Sequence, residues 1–189
     1  MRQLKTAPGT EPLTTAEAKT FLKVDHNDED TLIANLIKAV RRAAELYMGR
    51  ALISQTWYDY RDEFPSETED WFEIALPPVT SITSIKYYDS DDTLQTLSTS
   101  VYLCDCVSEP GRVSLQIGQS WPDTSGRQNG IVIEYVCGWA NAAAVPDLIK
   151  AGMYLHLGHL YENRQDVTKE KMNELPLGSR SLYDMYRVY

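Results

Sequence analysis

His156, His159 and Glu162 are the residues whose types and spacing come nearest to a catalytic metal site. Histidines three apart lie on neighbouring faces of one helix, and zinc accepts such pairs. The HExxH arrangement, which places a general base between histidines four apart, does not occur, and a third ligand would have to come from His26 or a distant acid. We therefore expect buried or interfacial hydrogen-bonding histidines, with a metal-dependent hydrolase using His156, His159 and Glu162 as the less favoured alternative.

Other catalytic signatures also fail at particular positions. The acidic run 89–92 begins like a calcium loop, but Leu94 stands at the glycine position and Ser100 at the bidentate acid. An acidic hairpin tip explains that run better. In segment 118–122, Pro122 replaces the second glycine of a Gly-x-Ser-x-Gly nucleophile turn. We expect a protein that is not an enzyme, with no catalytic residue, cofactor or metal.

The three cysteines, Cys104, Cys106 and Cys137, are too few for a disulfide framework. On a strand, Cys104 and Cys106 would share one face, which is a poor geometry for a bridge between them. We expect all three to be small buried hydrophobic residues.

The net charge of −9 argues against tight binding of nucleic acid, because that affinity comes mainly from Lys and Arg on phosphates. It is compatible with a lumen through which DNA slides, because an acidic wall repels the phosphate backbone. The composition, 43% hydrophobic and 24% charged, is typical of a globular chain with a core. No apolar run suits a signal peptide or a membrane span, so we expect a soluble protein made in the cytoplasm and no membrane contact.

Two helices are predicted near the start of the chain, after an arm at 1–12. Thr14 and Glu17 have the spacing of a capping box, which opens a short helix to about Leu22. A longer amphipathic helix is predicted at 31–48, with Gly49 as its stop. Its apolar side carries Leu32, Ile33, Leu36, Ile37, Val40, Ala44, Tyr47 and Met48, and its polar side carries Lys38, Arg41, Arg42 and Glu45.

From Ile53 to Trp139 the apolar period changes to two, which predicts six or seven short strands in an antiparallel sheet or small sandwich. The alternating runs are Phe72, Ile74, Leu76; Val113, Leu115, Ile117; and Ile131, Ile133, Tyr135, Cys137, Trp139. Ile82 and Ile85 break the alternation and indicate a bulge or a strand end.

Helix returns over 146–162, with Pro146 at the first helical position, and it is apolar on most faces. A polar linker at 162–174 and a short amphipathic stretch within 175–189 follow. The fold class is therefore α+β, a helical body of two N-terminal and further C-terminal helices with an inserted antiparallel β lobe. We divide one compact chain into an N-terminal part at 1–50, the β lobe at 51–140 and a C-terminal part at 141–189.

Aromatic usage points to interfaces, since twelve tyrosines and four tryptophans outnumber three phenylalanines. Tyr and Trp suit surfaces that are alternately wet and covered by a partner. The end of the chain, with Tyr183, Met185, Tyr186 and Tyr189, either folds back on its own subunit or binds a partner, and we favour the partner. Helices 31–48 and 146–162 carry more apolar surface than a small body buries, which favours contacts between subunits.

The sequence resembles the gp6-like and gp8-like head–tail connector proteins of tailed bacteriophages over nearly its whole length. The resemblance rests on the order and spacing of many short pieces, among them Pro12-Leu13-Thr14-Thr15-Ala16-Glu17-Ala18-Lys19 and Ser120-Trp121-Pro122. The other matching pieces are 22–25, 28–30, 33–44, 49–57, 76–79, 81–85, 88–89, 102, 145–146, 159–164, 175–176 and 186–187.

The resemblance implies a structural adaptor, assembled in the host cytoplasm, that forms a homo-oligomeric ring (a dodecamer) in the virion neck. The ring would lie between the portal protein and a downstream neck, stopper or tail protein, and DNA would pass through it without specific binding. The resemblance places portal contact on the C-terminal arm, at Leu182, Tyr183, Met185, Tyr186, Arg187 and Tyr189. The candidate subunit interface is Tyr154, His156, His159, Tyr161 and Arg164. Another neck component, a stopper or tail-completion protein, is the structural alternative.

Overall fold

The computed structural model describes residues 1–65, 71–163 and 177–188. These residues form four α-helices and eight strands, which confirms the α+β class. The helices are α1 (Thr15–Leu22), α2 (Asp30–Met48), α3 (Asp147–Glu162) and α4 (Leu177–Asp184). The strands are β1 (Arg2–Thr6), β2 (Gln55–Arg61), β3 (Trp71–Ile74), β4 (Val79–Tyr88), β5 (Leu94–Thr96), β6 (Tyr102–Asp105), β7 (Gly111–Leu115) and β8 (Ile131–Cys137).

The chain divides into two compact units, each built from two separate stretches of sequence. The β unit contains Met1–Gly9 and Ser54–Gly138, and the helical unit contains Thr10–Ile53 and Trp139–Tyr189. The three-part division at residues 50 and 140 stays a prediction about domains. The compact units differ from it in that the first nine residues belong with the strands.

The β unit has a five-stranded sheet of order β1-β2-β8-β4-β5 and a three-stranded sheet of order β3-β7-β6. All pairings in both sheets are antiparallel. Alternate residues of β8, from Ile131 to Cys137, are fully buried, which confirms the predicted apolar face of this strand. The register shift between Ile82 and Ser84 against β8 confirms the predicted irregularity there.

The predicted N-terminal arm is wrong for its first residues, because Arg2–Thr6 is an edge strand paired with β2. All five side chains are exposed, so no apolar alternation marks this strand in the sequence. Backbone pairing and the ion pair between Lys5 Nζ and Glu134 Oε1, 2.6 Å apart, attach it to the sheet instead.

Three residues assigned to strands lie beyond them, and the first is Leu76, which follows the end of β3. Ile117 follows the end of β7 and is fully exposed, because the chain turns away after Leu115. Trp139 lies past β8 and packs, partly buried, against the helical core. The acidic run at 89–92 forms the predicted hairpin tip between β4 and β5, where Asp89 Oδ1 accepts hydrogen bonds from Asp91 N and Thr93 N.

The helical unit begins with the predicted capping box. Thr14 Oγ1 accepts a hydrogen bond from Glu17 N (3.2 Å), and Glu17 Oε2 accepts one from Thr14 N (2.8 Å). Helix α2 ends at Gly49, whose φ of 68° is the left-handed conformation that glycine adopts without steric conflict. Pro146 is the N-cap of α3 and not its first helical residue, a difference of one position. The apolar faces of α2 and α3 supply most of the core. Its members include Ile33, Ile37, Val40, Ala44, Met48, Ile149, Met153 and Leu157.

Glu45 contradicts its predicted place on the polar side of α2, since it is only 2% exposed. Its Oε1 accepts a hydrogen bond from Leu52 N (3.0 Å), and its Oε2 accepts one from Arg41 Nη1 (2.8 Å). Arg41 Nε also donates to Glu11 Oε2 at 2.6 Å. The buried carboxylate is therefore compensated by a charged partner and by a backbone donor of the chain that leaves the helix.

The expectation of three buried cysteines is confirmed for Cys137 and wrong for the other two. Cys104 is exposed and Cys106 is half-buried. The strand ends at Asp105, so the two side chains do not both belong to the packed face of a sheet. Among the described helices, none combines the length and apolar content that a bilayer crossing requires.

Candidate interface on the helical unit

Helix α4 docks on the helical unit through Tyr183, whose side chain is fully buried. Its ring lies against Gly152 of α3, where an added Cβ would stand 2.6 Å from Tyr183 Cε1. Because real Cβ atoms do not approach that closely, the missing side chain at 152 creates the space that the ring fills.

Tyr47 of α2 holds the polar side of α4. Its hydroxyl donates to Asp184 Oδ1 (2.5 Å) and accepts from Arg180 Nε (2.9 Å). The guanidinium groups of Arg180 and Arg187 lie 5.7 and 5.0 Å from the Tyr47 ring centroid. These contacts combine hydrogen bonds with cation–π attraction around one aromatic ring.

The chain after α4 runs beside the end of α2 and caps it. Val188 N donates to Met48 O (2.9 Å), and Arg50 Nε donates to Tyr186 O. The last carbonyls of a helix have no partner within the helix, so Val188 satisfies one of them. The segment 177–188 is thus an integral part of the helical unit.

Two hydroxyl groups of α4 are buried at a cost. Ser179 Oγ and Tyr183 Oη have no hydrogen-bond partner among the described residues, and both residues are fully buried. Burial also raises the pKa of Tyr183 above its ordinary value. Each unsatisfied buried hydroxyl lowers the stability by about 1–3 kcal/mol, so these two groups weaken the docking of α4.

The candidate portal-binding residues fall into two groups. Tyr183 is buried and Leu182 and Tyr186 are half-buried, whereas Met185 (68% exposed) and Arg187 are exposed, the latter with its guanidinium on the Tyr47 ring. The sixth residue, Tyr189, lies outside the described residues. Portal binding by this segment stays a prediction. While α4 is docked, only the exposed members are accessible to a partner.

The candidate subunit-interface residues are also divided by burial. Tyr154 stacks on Phe21 with ring centroids 5.2 Å apart, and Tyr161 donates a hydrogen bond to Glu29 Oε2. His159 is half-buried, and its carbonyl accepts from Asn163 Nδ2 at 2.9 Å. Arg164 lies outside the described residues, and contacts between subunits at the other positions stay a prediction.

His156 is 5% exposed, and its Nδ1 has no hydrogen-bond partner among the described residues. Burial, and after it the charge of His159, lowers the pKa of His156, so the neutral imidazole is favoured. No group of three or more possible metal ligands occurs in the described part of the chain. His156, His159 and Glu162, all of them described, are therefore not assembled as a group of three ligands.

The sequence predicted excess apolar surface on the two long helices, and the structure identifies the residues that are exposed. Leu148 and Leu155 of α3 are 41% and 44% exposed, and Leu32 and Leu46 of α2 are 38% and 67% exposed. Two turns separate the α3 pair and four turns the α2 pair, so each pair lies on one side of its helix. The sequence pattern alone did not distinguish these residues from the core positions of the same helices.

Chains in solved structures of gene transfer agent particles have a similar fold. A chain in the neck of the empty gene transfer agent (GTA) particle computed with C6 symmetry matches with a TM-score of 0.82 and 19% identity. A chain in the virion of the native GTA particle matches with 0.80 and 21%, and one in the native GTA neck computed with C12 symmetry with 0.77 and 20%. Each match covers 100% of this chain and 96% of the other. No curated protein sequence matches the chain.

One family model also matches the chain, over a little less than half of its length. The family model described as phage gp6-like head-tail connector protein matches residues 13–99, which span α1, α2 and the first half of the β unit. The predicted resemblance to the gp6-like connectors is confirmed over these residues.

Proposed function

We propose that the protein is a structural, non-catalytic subunit of a ring in the neck of a tailed phage or phage-like particle. The observation that carries the proposal is the coincidence of two likenesses on one chain. Residues 13–99 match the gp6-like connector family, and the complete fold matches chains in GTA necks with TM-scores of 0.82 and 0.77. The ring would join the portal protein to the next neck, stopper or tail protein.

The copy number proposed for the ring is twelve. One of the similar chains comes from a neck computed with C12 symmetry and another from a neck computed with C6 symmetry, and a ring of twelve is compatible with both. The portal would be the template on which the ring closes. A closed ring of identical subunits uses heterologous contacts, in which one face of each copy meets a different face of the next. The subunit therefore needs two separate surfaces for its neighbours.

The exposed apolar sides of α2 and α3 are the proposed neighbour surfaces. Leu46 on α2 and Leu155 on α3 are the most exposed members of their pairs. The occupant of each surface is a second copy of this chain, because a ring covers both faces in every subunit at once. Burying exposed leucines in this way gives about 25 cal/mol for each Å² of apolar surface removed from water.

The charge of the chain fits passage of DNA without attachment. With a net charge of −9, the subunits of a ring present an excess of carboxylates that repels phosphates. A basic surface would instead hold the duplex through counterion release.

Mass measurement with and without portal tests the ring. Light scattering and mass photometry of the purified subunit, its portal protein and the mixture should give a defined complex of twelve subunits on one portal. Absence of any complex under conditions where the portal itself is intact would contradict the proposal.

Substitutions locate the surfaces in the same assay. Leu155→Asp and Leu46→Asp should each prevent ring formation, because each places a carboxylate in an apolar contact. Val107→Asp is the matched control, since Val107 is 93% exposed in the β unit. Ring formation by both leucine variants would refute the surfaces while leaving the ring itself intact.

Portal contact is tested at exposed residues of the C-terminal segment. Truncation before α4 would remove the buried Tyr183 and unsettle the helical unit, so it does not separate binding from folding. Met185→Asp leaves the docking contacts of α4 in place and should weaken portal binding about tenfold, because a carboxylate is costly in a buried contact. Binding as tight as that of the unaltered subunit would exclude Met185 from the contact.

A further inference from the structure

Cys104 and Cys106 form a close thiol pair in the β unit. Their sulfur atoms are 2.8 Å apart, less than 1 Å longer than the about 2.05 Å of a disulfide bond. Both are free thiols, Cys104 exposed and Cys106 half-buried, so small molecules reach the pair from solvent. The third cysteine, Cys137, is buried in β8 and takes no part.

A side-chain hydrogen-bonded turn brings the two sulfurs together. Strand β6, at the edge of its sheet, ends at Asp105, and Cys106 is the first residue beyond it. Asp105 Oδ1 accepts hydrogen bonds from Val107 N (2.9 Å) and Ser108 N (3.0 Å). Asp105 Oδ2 accepts a third from Ser108 Oγ (2.6 Å).

The turn explains why the strand-based expectation failed. In a continuous strand the same-face side chains at i and i+2 stand about 6.6 Å apart, too far for a bridge whose Cβ atoms must approach to about 3.8 Å. Because the chain bends directly after Asp105, Cys106 leaves the strand path and its sulfur reaches that of Cys104. No rearrangement of the sheet is needed for the sulfurs to meet.

Protonation keeps the Cys104 thiol weakly nucleophilic. Partial burial of its sulfur, and after it the hydrogen bond with Cys106, raises the pKa of Cys104 to about 12. The Cys104 thiol therefore stays protonated at neutral pH and hydrogen-bonds to its neighbour. This protection slows spontaneous attack without removing the proximity of the two sulfurs.

We propose that Cys104 and Cys106 are a reversible redox modification site that closes an intramolecular disulfide by exchange with small disulfides such as oxidised glutathione. One cysteine sulfur attacks the glutathione disulfide, breaks its S–S bond and releases one glutathione, leaving a mixed disulfide on the protein. The second cysteine sulfur then attacks the protein sulfur and expels the other glutathione. The protein loses two electrons and two protons, and the two glutathione molecules gain them. This inference does not depend on the neck role.

The reduced, purified subunit is equilibrated in buffers of varied reduced and oxidised glutathione, quenched with acid, alkylated and digested for mass spectrometry. In oxidising buffers the unaltered protein should lose two alkylation sites together, and its 104–106 peptide should become lighter by two hydrogen atoms. Cys137→Ser should behave in the same way. Cys104→Ser and Cys106→Ser should carry a glutathione adduct on the remaining thiol, since the second exchange is impossible.

Asp105→Ala tests the positioning role of the turn. It should lower the equilibrium constant for disulfide formation about tenfold, because the released turn separates the thiols in the folded protein. Asp91→Ala, at the other acidic hairpin tip, is the matched control and should leave the constant unchanged. The proposal fails if the unaltered protein shows only stable glutathione adducts or disulfides between molecules. An unchanged constant in Asp105→Ala would overturn the turn as the cause.

Discussion

Each compact unit buries one tyrosine completely, and the two are held by different means. Tyr135 lies in β8, between β2 and β4, and its backbone neighbours across the sheet are Trp57 and Ile82. Tyr183 lies on α4, an eight-residue helix joined to the unit by side chains and by the chain that follows it. Both hydroxyls lack a hydrogen-bond partner among the described residues.

Two equally buried tyrosines can therefore lie in surroundings of different stability. A residue in a central strand loses its environment only when the sheet opens, whereas an eight-residue helix is too short to persist alone and is free to undock as a unit. We therefore expect the β unit to be the more stable of the two units and α4 to be the least stable element of the helical unit.

Alanine substitution at the two tyrosines should give the largest difference in stability between the two units. Tyr135→Ala leaves a cavity in the sheet core and should lower the free energy of unfolding by about 3–5 kcal/mol. Tyr183→Ala should cost less, about 1–3 kcal/mol, because release of α4 limits the loss. Urea denaturation followed by circular dichroism measures both, and equal losses would show that α4 unfolds only with the rest.

Alanine substitutions at two glycines, one in each unit, should have somewhat smaller effects on the free energy of unfolding. Gly152→Ala places a Cβ 2.6 Å from the Tyr183 ring, and Gly111→Ala places one 2.9 Å from Val79 Cγ2. Overpacking of this kind costs about 1–3 kcal/mol in each case. Only Gly152→Ala should speed amide hydrogen exchange at 177–188. Gly9→Ala is the control, because no atom of the described residues lies within 4 Å of its Cβ.

Phenylalanine at the two tyrosines should change stability by about 1 kcal/mol or less at neutral pH, towards higher stability, because each removes an unsatisfied buried hydroxyl. Burial raises the pKa of both tyrosines in the folded state. Their contribution is therefore complete below the ordinary tyrosine pKa of about 10 and is lost as pH rises above it. Each Phe variant should lose less stability than the unaltered protein between neutral and strongly alkaline pH. Equal alkaline loss in all three proteins would contradict this explanation.

His156 should give the smallest effect and the opposite pH dependence. Because burial lowers its pKa in the folded state, its contribution is present above the ordinary histidine pKa of about 6.5 and falls as pH decreases towards the lower value. His156→Leu should flatten this acid loss in urea denaturation. His26→Leu should leave it unchanged, since the His26 side chain is 49% exposed.

Local patterns were enough to predict the helices and the central strand, because Thr14 with Glu17 and the alternation of β8 are short-range signals. Strand β1 escaped prediction because its exposed side chains carry no period and its pairing partner is more than fifty residues away. Glu45 escaped because burial of a charge depends on Arg41 and on the chain beyond the helix.

The C-terminal segment illustrates a different limit of sequence reasoning. The amphipathic pattern predicts that Tyr183 is covered, but it does not predict which surface covers it. The missing side chain at Gly152 was the signal for docking on the same subunit, and it acquires meaning only when α3 and α4 are placed together. The Cys104–Cys106 contact likewise depends on a turn that alternation alone does not reveal.

The interleaving of the two units has a consequence for synthesis on the ribosome. Strand β1 emerges first yet pairs with β2, and α1 and α2 emerge before the β unit but pack with α3, which follows it. The β unit becomes complete when Gly138 is made, whereas the helical unit must wait for the last segment of the chain. During that interval the apolar face of α2 has no native covering from α3, so in a nascent chain this face stays open to non-native contacts or to a chaperone until α3 has been made.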